Sequence, residues 1–167
     1  MAEAVIIDSV RTGLAKSFRG GFNQTRADDM TAHIIDALMD RNPKVEPGLV
    51  EDVILGCGYP DGPQGNNIAR TSAVLSKLPI QTAGTTVNRY CSSGLTTIAM
   101  AATQIQSGFA DCITFASWSN FCWSSIFIHG IGIVCCCGSW RVCVYHNRHI
   151  GILIGQVDDV HSCLSFL

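Results

Sequence analysis

One cysteine near the middle of the chain has the neighbours that nucleophilic chemistry needs. Cys91 follows the β-branched run 85–87 and precedes small residues that open a helix-compatible segment, 92–107. A helix N-terminus has unpaired backbone N–H groups and about half a positive charge, and both stabilise a thiolate and a developing oxyanion. We therefore predict that Cys91 is a nucleophile and that its own N–H is an oxyanion donor. The alternative is an inert buried thiol at a strand–helix turn, because cysteine is among the most buried residue types.

The elements that must position Cys91 alternate between two periodicities. Short apolar or β-branched runs predict strands, and longer segments with apolar residues three and four apart predict helices. The predicted strands are 4–8, 53–58, 85–88 and 112–116, and the predicted helices are 25–41, 67–78 and 92–107. This alternation predicts an α/β fold with a mostly parallel sheet, in which ligand-contacting residues gather beyond the carboxyl ends of the strands. Cys91 falls at such an end.

Two local patterns refine the predicted helices. Thr25 with Asp28 three residues later approximates a capping arrangement for the first helix. In the helix after Cys91, the spacing predicts that one apolar face is buried, and this face comprises Leu95, Ile98, Ala102 and Ile105.

The segment around Cys91 resembles a known family signature. Residues 88–95 read Asn-Arg-Tyr-Cys-Ser-Ser-Gly-Leu, which is similar to the acyl-acceptor cysteine motif of thiolases, the acetyl-CoA acyltransferases. Four more segments resemble family patterns in the same order and spacing, and these are 4–12, 18–20, 53–57 and 64–70. The resemblance covers about residues 3–116, so we expect a thiolase-like N-terminal half.

The resemblance implies a reaction and a set of supporting residues. In the family, the cysteine thiolate takes the acyl group from a 3-ketoacyl-CoA or acetyl-CoA, and a second CoA removes it; cysteine suits this because it is both a strong nucleophile and a good leaving group. The substrates would be CoA and its thioesters, with no cofactor and no metal. Supporting positions would be Asn88, Gly94, Asn67 and Arg70, the last two in a loop that approaches the active site at a dimer interface. The alternative for this segment is a surface loop with a solvated Arg70. Partners would be a second copy of the chain or a full-length thiolase.

Other members of the family's catalytic set have no matching motif. In the family, a histidine in a Gly-His-Pro segment activates the nucleophile, and a second cysteine exchanges the α-proton of the acyl-CoA. The sequence contains no Gly-His-Pro, and Cys137-Gly138 lacks the family's flanking residues. Because losing one member of a cooperating set costs orders of magnitude in rate, we expect a truncated acyltransferase that is unable to turn over alone. The alternative is a catalytically dead fragment that acts as an interaction partner of a full-length thiolase.

The composition changes abruptly near Ala116, which predicts two regions, 1–116 and 117–167. From Ser117 to Val157 the charged residues are Arg141 and Arg148, and all three tryptophans lie beyond the boundary. We expect an irregular, apolar, cysteine-rich tail that is unrelated to the family. An altered reading frame or unspliced message would explain the abrupt loss of charge and of family pattern.

Two further hypotheses concern this tail. The uncharged segment 121–138 has about the minimum length of a membrane span, although its histidine, serines and glycines weaken that interpretation. Cys143, His146 and His149 have a spacing compatible with metal ligands, but no Cys-x-x-Cys pair accompanies them, so no metal site is predicted.

Charge and the N-terminal residues limit the remaining classes of function. The formal net charge is −2 and the sequence pI about 6.2, without a basic block, so nucleic-acid binding is not expected. The N-terminus lacks the basic flank and long apolar core of a signal peptide, which predicts a cytoplasmic location without membrane attachment.

Overall fold

The computed structural model describes residues 3–13, 19–118 and 130–135. The strands are β1 (Val5–Val10), β2 (Asp52–Cys57), β3 (Ala83–Val87), β4 (Cys112–Trp118) and β5 (Gly130–Cys135). The helices are α1 (Ala27–Arg41), α2 (Ile68–Leu75) and α3 (Ser93–Gln106), with single 3₁₀ turns at Pro47–Leu49, Gly62–Gln64 and Tyr90–Ser92. The predicted strands and helices of the first 116 residues are therefore present, with ends shifted by a few residues.

The five strands form one sheet in the order β1-β5-β4-β2-β3. β2 is parallel to both β3 and β4, so the carboxyl ends of these three strands lie at one edge. β5 lies between β4 and β1 and is antiparallel to both. The predicted α/β class with a mostly parallel sheet is confirmed, and the parallel part β3-β2-β4 is the part that leads to Cys91.

Helices cover both faces of the sheet and divide the core into two clusters. On one face, α1 and α2 pack on β2 through side chains such as Ile35, Leu38 and Ile68. On the other face, α3 packs through Ala101 and Ile105 on apolar side chains of β2 and β4. Burying apolar side chains on both faces fits the nearly continuous apolar sequence of β2, whose residues 53–57 are all buried.

The start of α1 differs from the predicted capping arrangement. The helix begins after Arg26, which makes no side-chain capping bond. Instead, the Arg26 guanidinium donates two hydrogen bonds to the buried carboxylate of Asp28, at 2.9 and 2.6 Å. These bonds lower the pKa of Asp28. The prediction of a Thr25–Asp28 cap was wrong. The residue before the helix is Arg26, and the Asp28 carboxylate accepts from the Arg26 guanidinium.

The buried face of α3 matches the predicted one in part. Ile105 is buried, and Ile98 and Ala102 are partly buried against the same core cluster. The fully buried positions are Ser93, Thr97, Ala101 and Ile105, each four residues after the last. Leu95, which was predicted to be buried, is 72% exposed. Small side chains therefore face the sheet along most of the helix, which allows α3 to approach the strands closely.

Part of the predicted tail lies in the sheet. Residues 130–135 form β5, a regular strand, where an irregular tail was predicted. The predicted division at residue 116 stays a prediction. Positions 121–129 and 136–138 of the hypothetical membrane segment lie outside the described residues, as do Cys143, His146 and His149.

Candidate functional site

Cys91 lies in the turn between strand β3 and helix α3. β3 ends at Val87, a single 3₁₀ turn spans Tyr90–Ser92, and α3 begins at Ser93. Cys91 is the middle residue of that turn, and its side chain is exposed. The structure thus places the predicted nucleophile at the start of a helix and beyond the carboxyl end of a strand, and it excludes the alternative of a buried thiol.

Hydrogen bonds within the turn fix the backbone on both sides of Cys91. The Asn88 carboxamide oxygen accepts the N–H of Tyr90 at 2.9 Å. The buried Ser93 hydroxyl accepts the N–H of Arg89 at 2.8 Å and donates to the carbonyl of Tyr90 at 2.7 Å. These three bonds bracket Cys91, so Asn88 and Ser93 hold the turn in shape.

Tyr90 adopts a backbone conformation that large side chains rarely have. Its φ is +48°, in the left-handed region, and its side chain is 72% exposed. Such conformations cost about 1–3 kcal/mol and persist where the surroundings determine them. Gly58 is one of the residues that surround Tyr90, and a Cβ added at Gly58 would lie 3.1 Å from the Tyr90 carbonyl oxygen. The strained residue is adjacent to Cys91 and lies against the segment that follows β2.

The first turn of α3 lacks a side-chain cap. The residue before the helix, Ser92, has a φ of −94° and a ψ of 3° and makes no side-chain capping bond. The first turn carries neither acidic nor basic residues that would modify its field. The N–H groups of Ser92 and Ser93 donate to the carbonyls of Arg89 and Tyr90, so both are already bonded. The positive partial charge of the helix N-terminus lies next to Cys91.

Asn67 acts locally, at the start of α2. Its side-chain oxygen accepts the N–H of Arg70 at 3.2 Å and the hydroxyl of Thr86 at 2.8 Å, and its nitrogen donates to the Gly84 carbonyl at 2.7 Å. Asn67 therefore caps α2 and fastens it to β3, the strand that leads to Cys91.

Arg70 fastens the loop between α2 and β3. Its guanidinium donates to the carbonyl of Thr82 at 2.5 Å and to the carbonyl of Ile80 at 2.8 Å. Its hydrogen bonds go to the backbone of this chain, so in the described part of the molecule Arg70 supports the structure around β3.

Gly94, the second residue of α3, lies against β4. A Cβ added at Gly94 would lie 2.6 Å from both Cβ and Oγ of Ser117.

The sequence alone did not identify Gly56, Gly58 or Ser93 as residues of this region. The signal that could have found them is a small residue at a position where a helix or turn packs closely on a strand.

The other cysteines with described side chains are buried. Cys57 and Cys112 lie in the sheet, and burial raises the pKa of the Cys57 thiol. The Cys57 sulfur lies 3.7 Å from the side-chain oxygen of Gln64. Cys91 is the exposed thiol of this set.

Two cavities formed by described residues lie away from Cys91. One, of about 820 Å³, lies between the end of β1 and α1 and includes Thr12, His33 and Arg41. The other, of about 290 Å³, lies beside Asp28 and Asn66. Cys91 lines neither of them, and within the described ranges its side chain lies on an open surface.

The described residues contain neither a helix that could span a membrane nor a cluster that could hold a metal ion. Across residues 3–13, 19–118 and 130–135, no helix is both long and apolar enough to cross a membrane. Within the same ranges no three His, Cys, Asp or Glu residues lie close enough together to hold a metal ion.

Comparison with known proteins agrees with the sequence resemblance. The family profile of the thiolase N-terminal domain matches residues 4–116. The chain is 43% identical over 114 residues to a 3-ketoacyl-CoA thiolase of Aliivibrio salmonicida, an alignment that covers 68% of this chain and 30% of the relative. It is 45% identical over 113 residues to a β-ketoadipyl-CoA thiolase of Acinetobacter baylyi, covering 68% of this chain and 28% of the relative.

The match to the family profile ends where the composition changes. The chain spans about 30% of the length of the curated relatives that it matches, and the profile ends at residue 116. The matched region contains every element from β1 to α3, including the turn with Cys91, and most of β4. On this match, the chain belongs to the thiolase family and carries its N-terminal domain.

Proposed function

We propose that the chain performs the acyl-accepting step of a thiolase-type acyltransferase at Cys91. The observation that carries the proposal is the geometry of Cys91, an exposed thiol at the start of a helix that no side chain caps. The names of the relatives, a 3-ketoacyl-CoA thiolase and a β-ketoadipyl-CoA thiolase, support CoA thioesters as the class of substrate.

In the proposed step, the Cys91 thiolate attacks the carbonyl carbon of an acyl-CoA thioester. A new carbon–sulfur bond forms at Cys91, the bond from that carbon to the CoA sulfur breaks, and the CoA thiolate takes a proton and leaves. With a 3-ketoacyl-CoA, the thiolate attacks the ketone carbon C3 instead of the thioester carbon. The bond between C2 and C3 then breaks, and acetyl-CoA leaves after C2 takes a proton. The N–H of Cys91 and the positive partial charge at the start of α3 stabilise the oxyanion that forms in either case. No cofactor is required.

We further propose that the acyl group stays on Cys91 in this chain. The resemblance assigns activation of the cysteine and α-proton exchange to segments that have no match in the sequence. Without a positioned general base, the attack lacks a contribution of typically about 10²–10⁴-fold in rate. The expected behaviour is slow, single acylation without sustained turnover.

The test is intact-protein mass spectrometry after incubation with acetyl-CoA or acetoacetyl-CoA. The wild-type chain should gain one acetyl group, and peptide mapping should locate it on Cys91. Cys91→Ala should lose the adduct. The matched control is Cys57→Ala, which removes a buried thiol and should keep the adduct. An adduct that persists in Cys91→Ala, or none on folded wild-type protein, contradicts the proposal.

A second candidate function is non-catalytic pairing with a full-length thiolase. It is favoured by the outer surface of α3, whose 14 residues include no charged side chain. Leu95 on this helix and Phe109 just after it are 72% and 80% exposed. Exposed apolar side chains at this density are typical of a surface that a partner covers.

Co-purification with a tagged full-length thiolase tests the pairing. Leu95→Lys places a charge on the outer surface and should abolish co-purification, whereas Gln106→Lys at the end of the same helix should have little effect. If both variants co-purify as the wild type does, α3 is not the contact surface. Pairing without an acetyl adduct would favour this function over acyl transfer.

A further inference from the structure

The first turn of α3 lies on a flat area of the sheet made by two paired residues. Gly56 near the end of β2 and Ser117 near the end of β4 are register partners on adjacent parallel strands. Their strand neighbours two residues earlier, Ile54 and Phe115, belong to the cluster that α3 covers. Since side chains alternate along a strand, Gly56 and Ser117 face α3 as well. We call this pair the helix seat.

At Gly56, helix and strand meet at backbone distance. A Cβ added there would lie 2.7 Å from the carbonyl carbon of Ser93, 2.8 Å from the nitrogen of Gly94 and 2.9 Å from the carbonyl oxygen of Ser93. All three atoms belong to the main chain, so no side-chain rotation can relieve the contact. Any side chain at this position must displace the start of α3 from the sheet.

At Gly94 the contact is equally close, but it involves a side chain. The added Cβ would lie 2.6 Å from Cβ and Oγ of Ser117, whereas the Cα of Ser117 lies at 3.9 Å. Deleting the Ser117 side chain would therefore leave enough room for a methyl group at Gly94. The contact at Gly56 involves main-chain atoms alone, whereas the contact at Gly94 can be relieved by removing the Ser117 side chain. This difference makes a matched experiment possible.

The helix seat is connected to Cys91 through Ser93. The same Ser93 whose main chain lies over Gly56 holds the turn before Cys91 with its hydroxyl, through Arg89 and Tyr90. One turn further along α3, the Thr97 hydroxyl donates to the Gly94 carbonyl at 2.8 Å, and it lies 3.4 Å from the Ala116 carbonyl of β4. A displacement of the helix start therefore displaces the turn that carries Cys91.

We propose that Gly56 and Gly94 are positioning residues for Cys91. They act by letting the first turn of α3 rest on the sheet, which sets the position of the turn that carries Cys91 and its N–H. The proposal rests on the proposed function, because it assigns these glycines to the acyl-accepting step.

The first experiment compares Gly56→Ala with Gly48→Ala in the full chain. Gly48 has no atom within 4 Å of an added Cβ, so its substitution is the matched control. Alkylation by iodoacetamide at pH 7 is followed by mass spectrometry for each cysteine, and acetylation by acetyl-CoA is followed in parallel. The buried Cys57 and Cys112 report folding, since they react only when the sheet opens.

In Gly56→Ala, Cys91 alkylation should slow by about threefold, the rate equivalent of losing a helix-terminus interaction. Acetylation should slow by tenfold or more, because the N–H of Cys91, which stabilises its oxyanion, is displaced as well. Gly48→Ala should match the wild type in both rates. Equal rates in Gly56→Ala and wild type, with Cys57 and Cys112 protected, would overturn the proposal.

The second experiment is a rescue that a general loss of stability would not produce. Gly94→Ala should slow acetylation, and Gly94→Ala combined with Ser117→Gly should restore it to the rate of Ser117→Gly alone. These Gly94 and Ser117 variants test the proposal even if Gly56→Ala does not fold. Failure of the double variant to recover, while Cys57 and Cys112 stay protected, contradicts the proposed contact.

The two readouts separate this proposal from the proposed function. If the wild type never gains an acetyl group, the proposed function fails, and the alkylation rates alone then decide whether the seat positions Cys91. If the wild type is acetylated and every glycine variant is acetylated equally fast, the positioning role fails and the proposed function stands.

Discussion

The starts of α2 and α3 pack on the sheet in the same way but differ in the partners of their first N–H groups. Each helix begins above a glycine in a strand of the parallel sheet. An added Cβ at Gly84 of β3 would lie 2.5 Å from the nitrogen and Cα of Arg70 in α2, and one at Gly56 of β2 would lie 2.7 Å from Ser93 in α3. Both helices therefore approach the sheet as closely as main chain allows.

The difference lies in what binds the first N–H groups. At α2, the Asn67 side chain accepts the N–H of Arg70 and the Thr86 hydroxyl accepts the N–H of Ala69 at 3.1 Å. At α3, Ser92 contributes no side-chain cap, and the Ser93 hydroxyl is used by the preceding turn instead. Side chains therefore bind the first donors of α2, whereas at α3 the N–H groups of Ser92 and Ser93 donate to the main-chain carbonyls of Arg89 and Tyr90.

The largest effect on stability is expected from Gly84→Ala. The methyl group would meet the main chain of Arg70 and Ala69, and overpacking of this kind typically costs about 1–3 kcal/mol in the free energy of unfolding. Urea unfolding followed by circular dichroism measures the loss, with Gly48→Ala as control. At temperatures where the protein is folded, acetylation of Cys91 should be unchanged because α3 rests on another glycine. A slower acetylation would show that the two helix starts are mechanically coupled.

Asn67→Ala should have a smaller effect, about 1–2 kcal/mol, because it removes the cap of α2. Asn67→Asp is the informative partner, since a carboxylate still accepts from the Arg70 N–H and the Thr86 hydroxyl but no longer donates to the Gly84 carbonyl. Equilibrium unfolding should place Asn67→Asp between Asn67→Ala and the wild type. Equal losses in both variants would show that the bond to Gly84, and not the cap, carries the stability.

The comparison also shows how far the sequence alone could lead. The position of Cys91 was predictable because strand, turn and helix are contiguous there, and local pattern decides such elements. The helix seat was not, because it depends on β2 and β4 pairing residues 56 and 117, which are far apart in sequence.

The orientation of α3 shows the same limit. Polarity predicted that Leu95 would face the sheet, but Ser93 and Thr97 are buried there while Leu95 is exposed. Close approach to the strands requires small side chains, and polarity scales do not contain that requirement. The bonds of Asn67 to the start of α2 and to β3 were not predicted either, because they depend on where α2 packs on the sheet.

Ser92→Asp should make the α3 start resemble that of α2. A carboxylate at the first turn interacts favourably with the helix dipole and should raise the free energy of unfolding by about 0.5 kcal/mol. It should also slow acetylation, because it occupies the N–H groups and repels a thiolate and an oxyanion. Ser92→Asn, which offers an acceptor without the charge, separates these two causes. Higher stability together with unchanged acetylation would mean that the donors at the start of α3 take no part in the reaction.

Asp52, at the opposite end of β2 from Gly56, should give the smallest effect and a pH-dependent one. Burial raises the pKa of Asp52, against a hydrogen bond from the Thr85 hydroxyl at 3.2 Å. Its other carboxylate oxygen is buried without a partner among the described residues.

Because the folded state binds this proton more tightly than the unfolded state, ionisation of Asp52 opposes folding. The penalty is absent at pH values below the unfolded pKa, grows as the pH rises from about 4, and is complete above the folded pKa. The stability of Asp52→Asn relative to wild type should therefore increase between pH 3.5 and pH 7 in urea unfolding. Acetylation of Cys91 should not change, since this end of the strand lies away from the start of α3. A pH-independent difference would mean that the carboxylate is as well solvated in the folded chain as in the unfolded one. A change in acetylation would extend the influence of β2 on Cys91 along the whole strand.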